Sequence, residues 1–281
     1  MPRTLKSLKT PLRYPGGKSK AVPKLLQYLP NLFQVKEFRE PFLGGGSVAL
    51  EITKRYPHID IWVNDLYEPL YNFWCELQHN GQELQDALLG IKSIYCNPDA
   101  ARCLFISSKE QINDSDLSNF DRAVAFYIVN KCSFSGLTES SSFSEQASES
   151  NFSINGISRL TEYSEIIERW KITNLSYESM LCDDKNTFIY LDPPYDIKDN
   201  LYGKKGEMHK RFDHDKFAAD CDQHTCPMLI SYNSDQIIRD RFYEWTVGEF
   251  AHTYTMRSVG CYNIDQATRK ELVLTNYEMR S

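Results

Sequence analysis

Apolar positions along the chain fall into two alternating kinds of segment. Short β-branched and aromatic runs at Lys36–Phe42, Asp60–Asn64, Lys171–Ser176, Phe188–Asp192, Met228–Tyr232 and Glu271–Asn276 predict strands. Longer stretches with apolar residues three and four apart predict helices near Ser47–Arg55, Pro69–Gln78, Asp121–Lys131, Leu160–Arg169 and Asp213–Gln223. Strands that alternate with helices imply a largely parallel sheet covered by helices. The last strand follows a long loop, Ser258–Lys270, and is expected to close the sheet antiparallel.

The alternation stops between about Gly81 and Ser158. Helical segments there lead into a serine-rich stretch, Ser133 to Ser158, that holds no Lys or Arg. Phe134, Leu137, Phe143, Phe152 and Ile154 within it favour a partly packed insert over a low-complexity linker. The expected organisation is a discontinuous sheet domain, 1–80 and 159–281, interrupted by an inserted, mostly helical subdomain at 81–158.

A length of 281 residues suits such an arrangement, and 41% hydrophobic with 25% charged residues is ordinary for a globular chain. The longest apolar run, Ala123 to Val129, is far too short to span a membrane. The basic N-terminus has no apolar stretch behind it, so a cytoplasmic location is expected. The eight cysteines form no C-x-x-C pair and read as reduced thiols or small core residues, with no metal. A net charge of −6 argues mildly against nucleic acid. Its distribution does not, because Arg3, Lys6, Lys9, Arg13, Lys18, Lys20 and Lys24 stand together without an acid, and Lys198, Lys204, Lys205, Lys210 and Arg211 form a second cluster. Phosphate contacts need local charge, so a phosphate grip and a solvated surface both remain open.

Candidate chemistry begins at Glu40-Pro41-Phe42-Leu43-Gly44-Gly45-Gly46-Ser47-Val48-Ala49, between a predicted strand and a helix. Glycine there permits a sharp turn and close approach of a ligand, and the free N–H groups of the helix start point at it. Gly44-x-Gly46-x-x-Ala49 fits a dinucleotide fingerprint, with Asp65 downstream where a ribose hydroxyl is held. This indicates an adenosine-containing cofactor and leaves S-adenosylmethionine and NAD both open. Arg13-Tyr14-Pro15-Gly16-Gly17-Lys18-Ser19 is not a P-loop, because the earlier glycine it would need falls on Leu12.

Asp192-Pro193-Pro194-Tyr195 closes the apolar strand Phe188–Leu191, at the carboxyl edge where open α/β sheets keep their sites. The tetrapeptide suits a poorly nucleophilic aromatic amine. Asp192 and the Pro193 carbonyl can accept its two N–H bonds and free its lone pair, while Tyr195 offers a ring to a base removed from its stack.

Taken in order, these segments resemble the Dam-like (D12 class) DNA adenine-N6 methyltransferases. Arg13 to Lys18 looks like the family's aromatic–Gly-Gly-Lys element, with Tyr14 where many members carry Trp. Glu40 to Ser47, Asp65, Asn130-Lys131-x3-Phe134-Ser135-Gly136-Leu137, Asp192 to Tyr195 and Glu271 to Tyr277 follow in the family's order. The resemblance implies a Rossmann-like S-adenosylmethionine-dependent sheet domain with an inserted DNA-recognition subdomain. It implies that Tyr14, Lys18, Glu40, Gly44, Gly46, Asp65 and Asp192 line the cofactor pocket, and that Asp192, Pro193 and Tyr195 hold a flipped adenine. Lys9, Asn130, Ser135, Gly136, Ser141 and Asn151 are the DNA-binding candidates. The recognition segment departs from the family in lacking arginines and in placing Thr138-Glu139-Ser140 after Gly136-Leu137, so sequence specificity does not carry over. The expected partner is double-stranded DNA, with no membrane, a cognate restriction endonuclease as a candidate partner, and a monomer or weak dimer as the assembly. Cytosine-N4 methylation, an NAD-dependent oxidoreductase and a non-catalytic DNA-binding module are the alternatives.

Overall fold

The computed structural model of the chain describes residues 10–14, 16–134, 136, 141–195, 212–251 and 270–279. One sheet is built from β1 (Glu37–Glu40), β2 (Asp60–Asn64), β3 (Lys171–Thr173), β4 (Thr187–Leu191), β5 (Met228–Asn233), β6 (Thr246–Ala251) and β7 (Lys270–Thr275), in spatial order β3-β2-β1-β4-β5-β7-β6. The first five strands run parallel, and β7 pairs antiparallel with both β5 and β6. The expected antiparallel closing strand is therefore present, inserted beside an edge strand that the sequence pattern did not predict. Strand β6 has no buried position, so the apolar run that marks β4, β5 and β7 is missing from it. The strand predicted at Lys36–Phe42 stops at Glu40, because Pro41 has no N–H to continue a ladder.

The central strand shows why the fold reads clearly in sequence. Phe188 and Tyr190 pack on one face with Phe38, Val63, Leu229 and Val273. Ile189 and Leu191 pack on the other with Met228, Ile230, Leu272 and Leu274. Both faces are covered, so β4 is a continuous apolar run. Helices α1 (Val22–Leu25), α2 (Ser47–Arg55) and α3 (Glu68–His79) lie on the first face.

Residues 81–158 hold α4 (Gly81–Ile94), α5 (Pro98–Gln111), α6 (Asn119–Cys132), α7 (Glu145–Ser150) and α8 (Ile154–Ile157), and their strand content among the described residues is the single bridge Ser133–Phe143. Helix α9 (Leu160–Ile167) returns the chain to the first face, while α10 (His214–Asp222) and α11 (Gln236–Arg241) cover the second. No described helix is long and apolar enough to cross a membrane.

One apolar cluster runs from Phe38 through Phe73 and Trp74 into Leu84, Phe105, Phe126, Tyr127 and Phe152, so the insert shares its core with the sheet. Phe73 stacks on Tyr127 at 5.9 Å, which fixes α6 against α3. The serines have a structural use here. Ser118, Ser144 and Ser153 accept from the N–H of Asp121, Ala147 and Gly156, which starts α6, α7 and α8. Phe152 is wholly buried, as a packed insert requires, whereas Phe134 and Ile154 are 51% and 63% exposed and lie outside that core.

The insert meets α9 at Gly81, where a Cβ would lie 2.4 Å from the Ser164 Cβ. Gly81→Ala is expected to push α4 off α9 and cost about 1–3 kcal/mol. Urea unfolding should show a lower midpoint at unchanged slope, and an unchanged midpoint would mean that the helices yield without loss.

Candidate active site

Strands β1 and β4 are neighbours, and the chain leaves them towards opposite sides of the sheet, which opens a crevice beyond their carboxyl ends. The glycine turn after β1, Asp65 after β2 and the Asp192–Tyr195 segment after β4 all border it.

Gly44 (φ 49°) and Gly46 (φ 68°) take the left-handed conformation that favours glycine. A Cβ on Gly44 would meet the Tyr14 ring at 3.0 Å, and one on Gly46 would meet the Trp74 ring at 3.0 Å. The spacing therefore answers a packing demand as well as a dihedral one. The Gly44 N–H donates to Asp65 Oδ2 (2.9 Å), the Tyr67 N–H donates to Asp65 Oδ1 (3.0 Å), and the Trp74 indole donates to the Gly44 carbonyl (3.1 Å). Asp65 thus ties the glycine turn to the start of α3, with a second lone pair left on each oxygen. Glu40 Oε2 accepts the Ala49 N–H at 2.8 Å, which puts a carboxylate at the N-terminal turn of α2. Burial pushes the Glu40 carboxyl well above its ordinary range and that of Asp65 up to about 6.

Lys18 is 3% exposed, and its ammonium is fully engaged. It lies 2.8 Å from Asp192 Oδ1 and 3.3 Å from Glu271 Oε1, and donates to Tyr195 Oη (2.7 Å) and the Gly16 carbonyl (3.1 Å). The Tyr195 hydroxyl in turn donates to Glu271. Ser231 Oγ donates to Asp192 Oδ1 at 3.0 Å and is itself bonded to the buried Tyr190 hydroxyl at 2.7 Å. Among the described residues Asp192 Oδ2 has no partner, and the side chain is 20% exposed. The Tyr195 ring stacks on Tyr232 at 5.7 Å.

The two ends of the Lys18–Asp192 pair shift in ways that a simple pair would not. Burial opposes charge on Lys18, yet the two carboxylates outweigh it and hold the ammonium above its ordinary value. Burial raises Asp192, Lys18 pulls it back, and Glu271 pushes it up again, leaving it raised. Two carboxylates share one cation, so Lys18 stays charged while Asp192 is not fully compensated.

The expected cofactor and catalytic residues Tyr14, Lys18, Glu40, Gly44, Gly46, Asp65, Asp192, Pro193 and Tyr195 all border this crevice or the turn beneath it. Two DNA-binding candidates have another place. Asn130 is 0% exposed, so its side chain cannot reach DNA. Its Oδ1 accepts the Arg13 N–H (2.9 Å), and its Nδ2 donates to the carbonyls of Arg13 (2.6 Å) and Gly136 (3.0 Å). Gly136 (φ 73°) lies so close to the same strap that a Cβ would sit 2.5 Å from the Arg13 carbonyl. Both hold residues 10–14 against the C-terminal end of α6.

Ser141 lines a cleft of about 430 Å³ between α5 and the segment before α7, with Arg102, Lys109 and Phe143. Asn151 is half-buried and donates to Ser150 Oγ at 3.2 Å. Lys6, Lys9, Ser135 and the cluster from Lys198 to Arg211 lie outside the described residues.

Sequence reasoning missed Glu271, Ser231 and the cations Arg102 and Lys109. Glu271 had a readable signal, being the acid at the start of an otherwise mostly apolar closing strand. Ser231 had none, since a serine inside a buried strand looks like filler.

The D12 class N6 adenine-specific DNA methyltransferase family matches residues 14–256. A Type II methyltransferase of Methanocaldococcus jannaschii is 23% identical over 66% of this chain and 68% of its own length. A DNA adenine methylase of Vibrio cholerae is 27% identical over 66% of this chain, and the match spans 64% of that relative. A Type II methyltransferase of Lactococcus lactis subsp. cremoris is 20% identical over 94% of both chains. The match runs through the glycine turn, Asp65 and the Asp192–Tyr195 segment, which border one crevice: the chain belongs to the D12 class N6 adenine-specific DNA methyltransferase family.

Proposed function

We propose that the crevice binds S-adenosylmethionine beside an adenine extruded from double-stranded DNA, and that Asp192 orients the N6 amine for methyl transfer. The carrying observation is the state of Asp192. One oxygen is fixed by Lys18 and Ser231, while the other has no partner among the described residues and the side chain is 20% exposed.

The residues fit this cofactor better than a dinucleotide. Asp65, Asp192 and Glu271 are held at the crevice with the buried cation Lys18 among them. Such a site favours a ligand carrying a sulfonium and an ammonium and disfavours a diphosphate. The N-terminal turn of α2, where a dinucleotide places its diphosphate, already holds the buried Glu40 carboxyl, which accepts the Ala49 N–H. Leu66, 60% exposed beside Asp65, offers apolar surface to an adenine ring. When bound, S-adenosylmethionine supplies a methyl group already activated by the sulfonium.

The chain's own part is positioning. Asp192 Oδ2 accepts one N6–H and the Pro193 carbonyl the other, so the amine lone pair leaves the ring and points at the methyl. Tyr195, fixed through Lys18, Glu271 and Tyr232, holds the base. For DNA, we place the contact surface on the insert around Ser141 and Asn151, with Arg102 and Lys109 supplying phosphate-binding charge that the recognition segment lacks. The basic N-terminus, Lys9 included, joins them. Two relatives are named Type II methyltransferases, which supports a role alongside a cognate restriction endonuclease. A cytoplasmic monomer or weak dimer suits that role.

Incubation with labelled S-adenosylmethionine and mixed-sequence DNA should place the label on adenine N6. Asp192→Ala should stay folded and lose roughly two to four decades of turnover, whereas turnover within about tenfold of wild type would remove Asp192 from the mechanism.

Asp65→Ala should weaken cofactor binding in calorimetry by about 1.5–3 kcal/mol. In the ligand-free protein the Asp65 carboxyl stands at about 6, above its unfolded value, so its contribution to stability is complete at acid pH and is lost as pH rises through that value. Cofactor affinity should run the other way, rising as Asp65 ionises. An affinity flat across pH 5 to 7 would leave Asp65 only its role in holding the glycine turn.

Glu271 raises the Asp192 carboxyl, so Glu271→Gln should move the acidic limb of the kcat/KM profile to lower pH. A limb that stays in place would separate Glu271 from the ionisation of Asp192.

A further inference from the structure

The amino edge of the sheet, opposite the crevice, carries a second cluster that the methyl-transfer reading does not use. Cys182 lies just before β4 and Cys226 just before its parallel neighbour β5. The Cys226 N–H donates to the Cys182 carbonyl at 3.4 Å, which sets the two backbones side by side. The flanking chain is braced: the Thr225 N–H donates to Asp183 Oδ1 (2.9 Å) and Asn276 Nδ2 donates to the Cys226 carbonyl (2.8 Å).

The Cys182 thiol is half-buried and lies beside the Cys226 thiol, which is buried. The Arg39 guanidinium, fixed at 2.8 Å on the Met180 carbonyl, adds positive charge nearby. Among the described residues no His, Cys, Asp or Glu group is arranged to hold a metal ion.

We propose that Cys182 and Cys226 form an oxidisable pair, with Cys182 the attacking thiolate and Cys226 the resolving thiol, which closes to a disulfide under a peroxide. The Cys182 thiolate attacks one peroxide oxygen, the O–O bond breaks, and a sulfenic acid and one water result. Cys226 then attacks the Cys182 sulfur, the S–S bond forms, the S–O bond breaks, and a second water leaves. Two thiols are oxidised as one peroxide is reduced, and an external dithiol reverses the change. The neighbouring Cys226 thiol is the main influence that holds Cys182 down to about 6, and Cys182 in turn pushes Cys226 upward, so the two thiols differ in readiness to ionise.

The test uses the whole protein. At neutral pH, iodoacetamide should modify Cys182 about tenfold faster than the exposed Cys96 and Cys103. Hydrogen peroxide at near-stoichiometric amounts should yield a Cys182–Cys226 cross-linked peptide two hydrogens lighter than its parts, released by dithiothreitol. In Cys226→Ser the hydroxyl cannot resolve, so dimedone should trap a sulfenic acid on Cys182 instead. The proposal fails if Cys182 labels no faster than Cys96 and Cys103, or if peroxide leaves the wild-type pair unlinked.

Discussion

One buried ammonium organises the catalytic half of this molecule. Lys18 sits where the N-terminal strap, the end of β4 and the start of β7 meet, and each contributes an acceptor: Gly16, Asp192 with Tyr195, and Glu271. Without the ammonium, two carboxylates would face each other across a few ångströms of low-dielectric interior, a cost of several kcal/mol that protonation would relieve. With it, Asp192 keeps one oxygen pinned and the other without a partner among the described residues. The arrangement also explains why the strap is tied down so thoroughly. Asn130 grips both backbone groups of Arg13 and leaves the lysine a short, well-defined path into the site.

The glycine turn obeys a related constraint. In a dinucleotide fold, glycines after the first strand clear space for a diphosphate at a helix N-terminus. Here the same turn is packed between the rings of Tyr14 and Trp74, and Glu40 takes the helix N–H instead. The backbone fingerprint is shared between the two cofactor classes, and the sign of the charge beside it is what separates them. That is why Gly44-x-Gly46-x-x-Ala49 alone left the cofactor open, and why burial of the acids around it was needed.

Legibility in the sequence followed burial. The strands β2, β4 and β5 and the helices that pack on them were readable because both periodicity and composition report a covered face. The edge strand β6, with no buried residue, carried no such signal. Site residues on strand ends, such as Asp65 and Asp192, were readable because short motifs surround them. Asn130 was misplaced for the same reason: a motif marks that a residue is constrained without saying whether the partner is DNA or the chain's own backbone. Ser231 matters only because β5 lies beside β4, a pairing no local pattern encodes. The serine-rich insert misleads in the other direction, since its composition suggests a spacer while three of its serines or near neighbours start helices.

Under the proposed function, an acidic crevice for a cationic cofactor and a cationic surface for DNA make opposing demands on one small chain. The net charge of −6 shows which demand dominates the total. The geometry separates the two by distance: carboxylates cluster at the carboxyl edge of β1, β2 and β4, whereas Arg102 and Lys109 stand out on α5, with Lys109 anchored by the Ser141 carbonyl at 2.8 Å. On the proposed reading the insert does more than carry recognition groups. Because it shares its core with the sheet, it would hold the charge of Arg102 and Lys109 apart from the acidic crevice, so that a duplex could be gripped on α5 while a single extruded base entered a pocket that would repel its phosphates.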